Sequence, residues 1–296
     1  MPRFVRGAMV VPGVLIFVFV LAMMPVILQA GTHESSLSFN WSKGIDSLVQ
    51  YWIGIGSGET FQYFSGKTEH QFWEQIGGYF STSFTYIAPG AVIGTTLGIL
   101  IGIWFAYSRT EWWKRIVEII GILPDFVVIV LLQFLMILIA KKTGVVVFKI
   151  ANAYSNDPPA VVLPLISMVI IPAQYLLSNV AMQMRLTLSE DYIGSAKARG
   201  LRKMYITFFH ALPNVIPYIK ADLHKLIGIL MGNLFIVEYL FNINGVTKLL
   251  FSDAFAYAGY QYNLVVNGLL TLLVLYALIY MLLRTFLYAW EKVFLR

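Results

Sequence analysis

The sequence contains no cysteine, and charged side chains make up only 12% of its 296 residues. The first absence excludes disulfides, cysteine-ligated zinc and thiol nucleophiles, and it leaves the redox compartment unmarked. The second excludes an ordinary soluble domain, in which about a quarter of residues are charged. Also missing are a His-Glu-x-x-His metal motif, a convergent acid–base set, a low-complexity stretch and an internal repeat. No metal site and no catalytic residue are expected on this basis. A net charge of +6 would suit a nucleic-acid partner. The charges, however, lie in short clusters between apolar blocks and form no basic stripe, so no nucleic acid is expected.

What is abundant is apolar: 58% of residues are hydrophobic. A spanning helix needs roughly 20 mainly apolar residues. Six windows qualify, at about 8–29, 84–107, 119–140, 159–183, 215–241 and 264–287. The chain therefore reads as an all-α, multi-pass membrane protein, with one transmembrane domain over 1–296 and the lipid bilayer as its first partner. Arg3 and Arg6 precede the first window as in a signal peptide. The apolar stretch from 8 to 29 is longer than a signal core, which makes it an uncleaved span. With the N-terminus inside, 14 Lys and Arg fall on the inner side and 6 on the outer side. That bias puts both termini in the cytoplasm.

Segment 30–83 then lies outside the cell membrane. Its Trp41, Tyr51, Trp52, Tyr63 and Trp73 suit the headgroup layer, where an aromatic ring is half wetted. The fifth window is the most polar, with Lys220, Asp222, His224, Lys225 and Glu238. Asp222 and His224 are two apart and share no helix face. Both lie close to one end of the window, so a structural reading outweighs a metal site or proton relay. Glu238 falls near the opposite end, at an interface. Asp125 follows Pro124. It either lines a path or satisfies backbone groups freed by the proline. Gly90, Gly94, Gly98 and Gly102 repeat every four residues, the pattern of close helix packing. A permease contact, or the fifth or sixth window, is the expected partner. Ser65-Gly-Lys-Thr68 has the ending of a phosphate-binding loop, but the required first glycine falls at Phe61. Nucleotide binding is not expected.

The inner segment 185–214 is the longest cytoplasmic loop. Residues 187–200 encode a short helix of about ten residues. Thr187 and Glu190 have capping-box spacing. Glu190 and Asp191 suit the positive end of the helix dipole, and Lys197 and Arg199 the negative end. Gly200 supplies a left-handed stop. Such a helix is too polar to span and too short to stand alone in water, so it needs a docking surface. Small residues at Gly194, Ser195, Ala196 and Ala198 would admit another protein's backbone. By composition alone, a helix lying on the inner leaflet explains it equally well.

Glu190-Asp-Tyr-Ile-Gly-Ser-Ala-Lys-Ala-Arg-Gly-Leu201, followed by His210-Ala-Leu-Pro-Asn214, resembles the cytoplasmic signature of ABC-importer permeases. Aligned on Gly200, nine residues lead to His210-Ala211-Leu212-Pro213. At the front only Ala196 agrees with the usual Glu-Ala-Ala, and His210 stands where Ile is usual. The wording is similar to the dipeptide, oligopeptide and nickel branch. So are Trp113-Lys-Arg with Ile122-Leu-Pro-Asp-Phe126, and Phe235-Ile-Val-Glu-Tyr-Leu-Phe241 with Gly245 and 249–253. The long outer segment resembles the first of that branch's two sister permeases. The resemblance implies a type I importer permease fold and transport of peptides or similar small solutes. It implies that Glu190, Asp191, Tyr192, Ala196, Ala198, Gly200, Leu201, His210 and Pro213 couple this chain to a separate ATPase. It further implies a sister permease in a heterodimer, two cytoplasmic ABC ATPase subunits holding ATP and Mg, and an extracytoplasmic substrate-binding protein. No cofactor falls on this chain. An ion-coupled secondary transporter, or a permease-like subunit used for export or signalling, are the alternative readings.

Overall fold

The computed structural model describes residues 3–30, 37–108, 123–151, 160–256 and 259–294. The helices are α1 (Arg3–Ile27), α2 (Trp41–Ser57), α3 (Phe72–Tyr107), α4 (Asp125–Thr143), α5 (Val162–Leu188), α6 (Asp191–Ala198), α7 (Lys203–Tyr205), α8 (Leu212–Ala221), α9 (Leu223–Leu240), α10 (Val246–Asp253) and α11 (Tyr262–Phe294). A π-helical stretch, Ile206–Ala211, joins α7 to α8. Three antiparallel hairpins add strands β1 (Leu28–Ala30), β2 (Leu37–Phe39), β3 (Gln62–Ser65), β4 (Thr68–Gln71), β5 (Phe255–Ala256) and β6 (Gly259–Tyr260). Among the described residues, α3, α4, α5, α9 and α11 are long and apolar enough to cross a membrane. With the apolar stretch Val11–Ile27 of α1, this makes about six spans. The stretch 119–122 of the third expected span lies outside the described residues.

Contacts divide the chain into two units. The first comprises 1–82 and 244–274. Within it α2 packs on α1, Gly44 meeting Met23 and Ile27. A buried polar knot holds the end of α2. The Tyr51 hydroxyl donates to Asn267 Oδ1 at 2.8 Å, Asn267 Nδ2 donates to the Thr60 carbonyl at 2.9 Å, and the Thr60 hydroxyl donates to the Tyr51 carbonyl at 2.7 Å. The three side chains of this knot all find partners, which is the condition for burying them. Trp41, Trp52 and Trp73 are exposed. Tyr51 and Tyr63 are not: both are buried, because their hydroxyls find side-chain acceptors, Asn267 for the first and Gln75 for the second. The Ser65–Thr68 tip is a hairpin turn with Gly66 at φ +62°, and the Ser65 hydroxyl donates to Asp253. It does not precede a helix after a buried strand, and so does not form a phosphate-binding loop.

The second unit comprises 83–243 and 275–296. Its centre is α5, against which α4, α8 and α9 pack. The glycine stripe of α3 also meets α5. A β-carbon built on Gly90, Gly94, Gly98 or Gly102 would lie 2.7, 2.7, 2.7 and 2.8 Å from Met168, Pro172, Leu176 and Val180, respectively. The stripe therefore packs within this chain, on the fourth expected span, not on the fifth or sixth. Both sides of the seam repeat every four residues, so two backbones run side by side in register.

Other boundaries shift for local reasons. Helix α3 starts at Phe72, well before the apolar window. Glu74 sits in its first turn, where the dipole favours a carboxylate, and Phe72 and Ile76 bury one face. The fifth expected span is two helices. Pro213 lies in the first turn of α8, directly after the π-helical stretch. The helix then breaks at Asp222, which stands between α8 and α9 and makes no side-chain cap bond. Glu238, close to the C-terminal end of α9, is fully buried. It accepts a hydrogen bond from the Ser83 hydroxyl at 2.6 Å.

Candidate functional site

Two features of the second unit stand out, and the first is the loop after α5. Helix α6 has eight residues, Asp191–Ala198, not ten. Thr187 does not cap it. Thr187 is buried in the last turn of α5, while Glu190 occupies the N-cap position in extended backbone with no side-chain cap bond. The reason is that α5 runs on to Leu188, leaving two residues for the turn. Asp191 in the first turn and Lys197 in the last oppose the helix dipole as expected. At the other end Gly200 has φ +78°. The Gly200 N–H donates to the Lys197 carbonyl at 2.9 Å, and the Leu201 N–H to the Ala196 carbonyl at 3.4 Å. This is a Schellman stop, and it needs the left-handed conformation.

Helix α6 has an inner and an outer side. Ile193 and Ala196, three residues apart, are buried, and the helix packs against the π-helical stretch. Ala196, expected to meet a partner, faces its own chain. Gly194, Ser195, Lys197 and Ala198 are exposed, with nothing within 4 Å of a β-carbon built on Gly194. Asn214 ties the loop together. Its Nδ2 donates to the Tyr192 hydroxyl at 2.9 Å and to the His210 carbonyl at 2.8 Å. The sequence signature pairs its two halves, and this bond is their physical link. Tyr192 and Leu201 remain exposed, and Pro213 is half-buried. The ring of His210 packs edge-on against Tyr205, with its Nε2 buried and unbonded among the described residues. Burial raises the pKa of the Tyr192 phenol, so it remains a neutral acceptor for Asn214.

The second feature is a polar cleft of about 310 Å³ beside α5. It is lined by Asp125 at the start of α4 and by Gln174, Tyr175, Ser178 and Asn179, with Ile171 and Ile229 as apolar walls. A smaller pocket shares Asn179 and reaches Asp222. The Tyr175 hydroxyl donates to Asp222 Oδ2 at 2.9 Å, and Lys225 lies 5.0 Å from the centre of the Tyr175 ring. His224 stacks on Tyr280, its Nδ1 2.7 Å from the Tyr276 hydroxyl. Asp222 and His224 thus go to different neighbours, as their spacing requires. Among the described residues no group of three or more His, Asp or Glu can hold a metal. Of the cleft residues, sequence reasoning singles out only Asp125. The signal for the others is a pair of polar pairs at i, i+4, Gln174/Ser178 and Tyr175/Asn179. Gln174 and Ser178 lie on the side of α5 opposite the residues that meet the glycines, and Tyr175 and Asn179 lie beside that seam, Asn179 sharing the smaller pocket with Leu176 and Val180.

Comparison with known proteins fits this geometry. A family model described as "Binding-protein-dependent transport system inner membrane component" matches residues 94–296. The dipeptide transport system permease protein DppB of Bacillus subtilis is 28% identical over 173 residues, covering 57% of this chain and 54% of the relative. The metal-staphylopine import system permease protein CntB of Staphylococcus aureus is 24% identical over 180 residues, covering 60% and 55%. A peptide permease protein of Brucella ovis is 23% identical over 213 residues, covering 68% and 66%. The chain spans a little over half the length of the first of these relatives.

Proposed function

The chain belongs to the family of binding-protein-dependent transport system inner membrane components, and from that premise we propose that it is the permease subunit of an ATP-driven ABC importer. It forms half of a translocation path for peptides or similar small solutes. Hydrolysis takes place on two separate cytoplasmic ATPase subunits that hold ATP and Mg. A sister permease supplies the other half of the path, and an extracytoplasmic binding protein delivers the cargo. The polar cleft at Asp125, Gln174, Tyr175, Ser178 and Asn179 belongs to the path, since polar side chains inside a membrane segment face protein or water.

One observation carries the reading: the outward side of α6. A helix lying on a leaflet turns large apolar side chains towards the lipid. This one turns Gly194, Ser195, Lys197 and Ala198 outward, holds its apolar Ile193 against its own chain, and ties its exposed ring, Tyr192, to Asn214. Small residues on the free side favour close approach by another protein's backbone. Gly194→Trp tests this. The position is open, so folding and insertion are expected to match the wild type. A bulky side chain in the docking face should lower ATP-driven uptake at least about tenfold, the order lost when a central contact fails. Normal uptake with the ATPase still bound would return α6 to the membrane surface.

The 14-to-6 bias of Lys and Arg supports a multi-pass protein of the cell membrane with both termini cytoplasmic. Because the chain lacks cysteine, single substitutions Ser65→Cys and Arg202→Cys report orientation directly. An impermeant thiol reagent added outside should label the first and not the second. The reverse pattern overturns the orientation.

A further inference from the structure

A groove of about 410 Å³ opens at the C-terminal end of α11. It is lined by Lys220, Leu223, Tyr280, Arg284, Thr285 and Tyr288. Lys220 is paired with Glu291, and its ammonium also lies 5.8 Å from the Tyr288 ring centre. Those two charges cancel. Arg284 is different. Its guanidinium contacts Tyr280, with Nη1 3.4 Å from the hydroxyl and the carbon 5.8 Å from the ring centre. Among the described residues no carboxylate pairs with it. The groove thus keeps one uncompensated, exposed cation whose N–H fork is mostly unused.

What leads into the groove matters as much. Leu278, Met281, Thr285 and Tyr288 are exposed at helical spacing on one face of α11. That face is apolar for its first turns, then turns polar where Arg284 enters. A spanning helix with an apolar stripe ending in Arg and Tyr matches an acyl chain ending in a charged headgroup. A guanidinium binds a phosphate oxygen pair in the same plane.

We propose that this groove binds the phosphodiester headgroup of an anionic phospholipid, with Arg284 as its anchor, Tyr280 holding the guanidinium, and an acyl chain along Leu278 and Met281. Free phosphate has the same headgroup chemistry but no use for the apolar stripe.

The test uses the full chain in phosphatidylcholine nanodiscs containing a minor share of phosphatidylglycerol. Native mass spectrometry counts the lipids retained after release. The wild type should retain phosphatidylglycerol over phosphatidylcholine, and millimolar inorganic phosphate should not displace it. Arg284→Gln should lower that retention about tenfold, the worth of one charge-assisted contact. Arg202→Gln, an exposed cation elsewhere, should leave it unchanged. Equal retention by Arg284→Gln and wild type, or of the two lipids, overturns the site. Displacement by phosphate overturns the lipid assignment. A photoactivatable phosphatidylglycerol on the wild-type chain tests the site without relying on the folding of any variant. It should label the segment 278–291, and labelling confined elsewhere overturns the proposal.

Discussion

Gly98→Leu is expected to cut deeply into the stability of the folded protein. A β-carbon at this position would sit 2.7 Å from the Leu176 β-carbon and 2.8 Å from the Ala173 carbonyl oxygen. Neither obstacle is the loose end of a side chain. One is fixed to the α5 backbone and the other is part of it, so the two helices must move apart. Separation would also strip Gly94 and Gly102 of their contacts with Pro172 and Val180. Overpacking costs about 1–3 kcal/mol when side chains can yield. With backbone in the way, at least the upper end applies, against a net stability of only about 5–15 kcal/mol. Gly98→Ala should show the same defect in milder form. Gly232→Leu is the control, because nothing lies within 4 Å of a β-carbon there. The check is the melting temperature and the monodisperse fraction of the solubilised chain. A Gly98→Leu chain that melts like the wild type would mean the seam is not closed as described.

Gly200→Val should separate folding from function. The position has φ +78° and open space around it, so crowding plays no part. The cost is the left-handed backbone itself, about 1–2 kcal/mol, and more for a β-branched residue. A packed bundle absorbs that. A helix of eight residues does not, because its last turn is held by the two hydrogen bonds that the left-handed residue permits. The variant should insert and melt within a few degrees of the wild type, while losing ATP-driven uptake by an order of magnitude. Gly200→Asn, which tolerates this conformation, should keep most of it. Uptake unaltered in Gly200→Val would detach the loop from coupling.

Most of the architecture can be read from the sequence because the bilayer imposes one strong rule, an apolar run of fixed length. The helix ends obey weaker rules. The start of α3 at Phe72 depends on Phe72 and Ile76 finding an apolar cluster with Tyr63, Val246, Leu249 and Leu264, a tertiary fact invisible in a window of hydropathy. The capping-box pattern at Thr187 and Glu190 is outcompeted by the longer α5, whose buried Met184 and Thr187 extend its packed face. In the sequence the break at Asp222 is one polar residue among several in a weak span. In the fold it is a junction fixed from α5 by Tyr175. The left-handed stop at Gly200 is fully legible, since local backbone chemistry determines it. The polar face of α5 is legible in principle, but its four residues are neutral and do not disturb a hydropathy profile.

The four-residue repeat shared by α3 and α5 also limits how this protein can move. Four glycines face Met168, Pro172, Leu176 and Val180 like teeth in matching notches. The notches are about 6 Å apart, four residues at 1.5 Å each. A slide shorter than one notch drives these side chains into the larger residues between the glycines. The two helices therefore travel as one bar or jump a whole notch. Helix α5 leads directly into the turn before α6. Under the proposed coupling, a push received at residues 191–198 is passed to both helices with no slippage between them. Angular play is left to the joints in the chain, at the π-helical stretch before Leu212 and at the break beside Asp222.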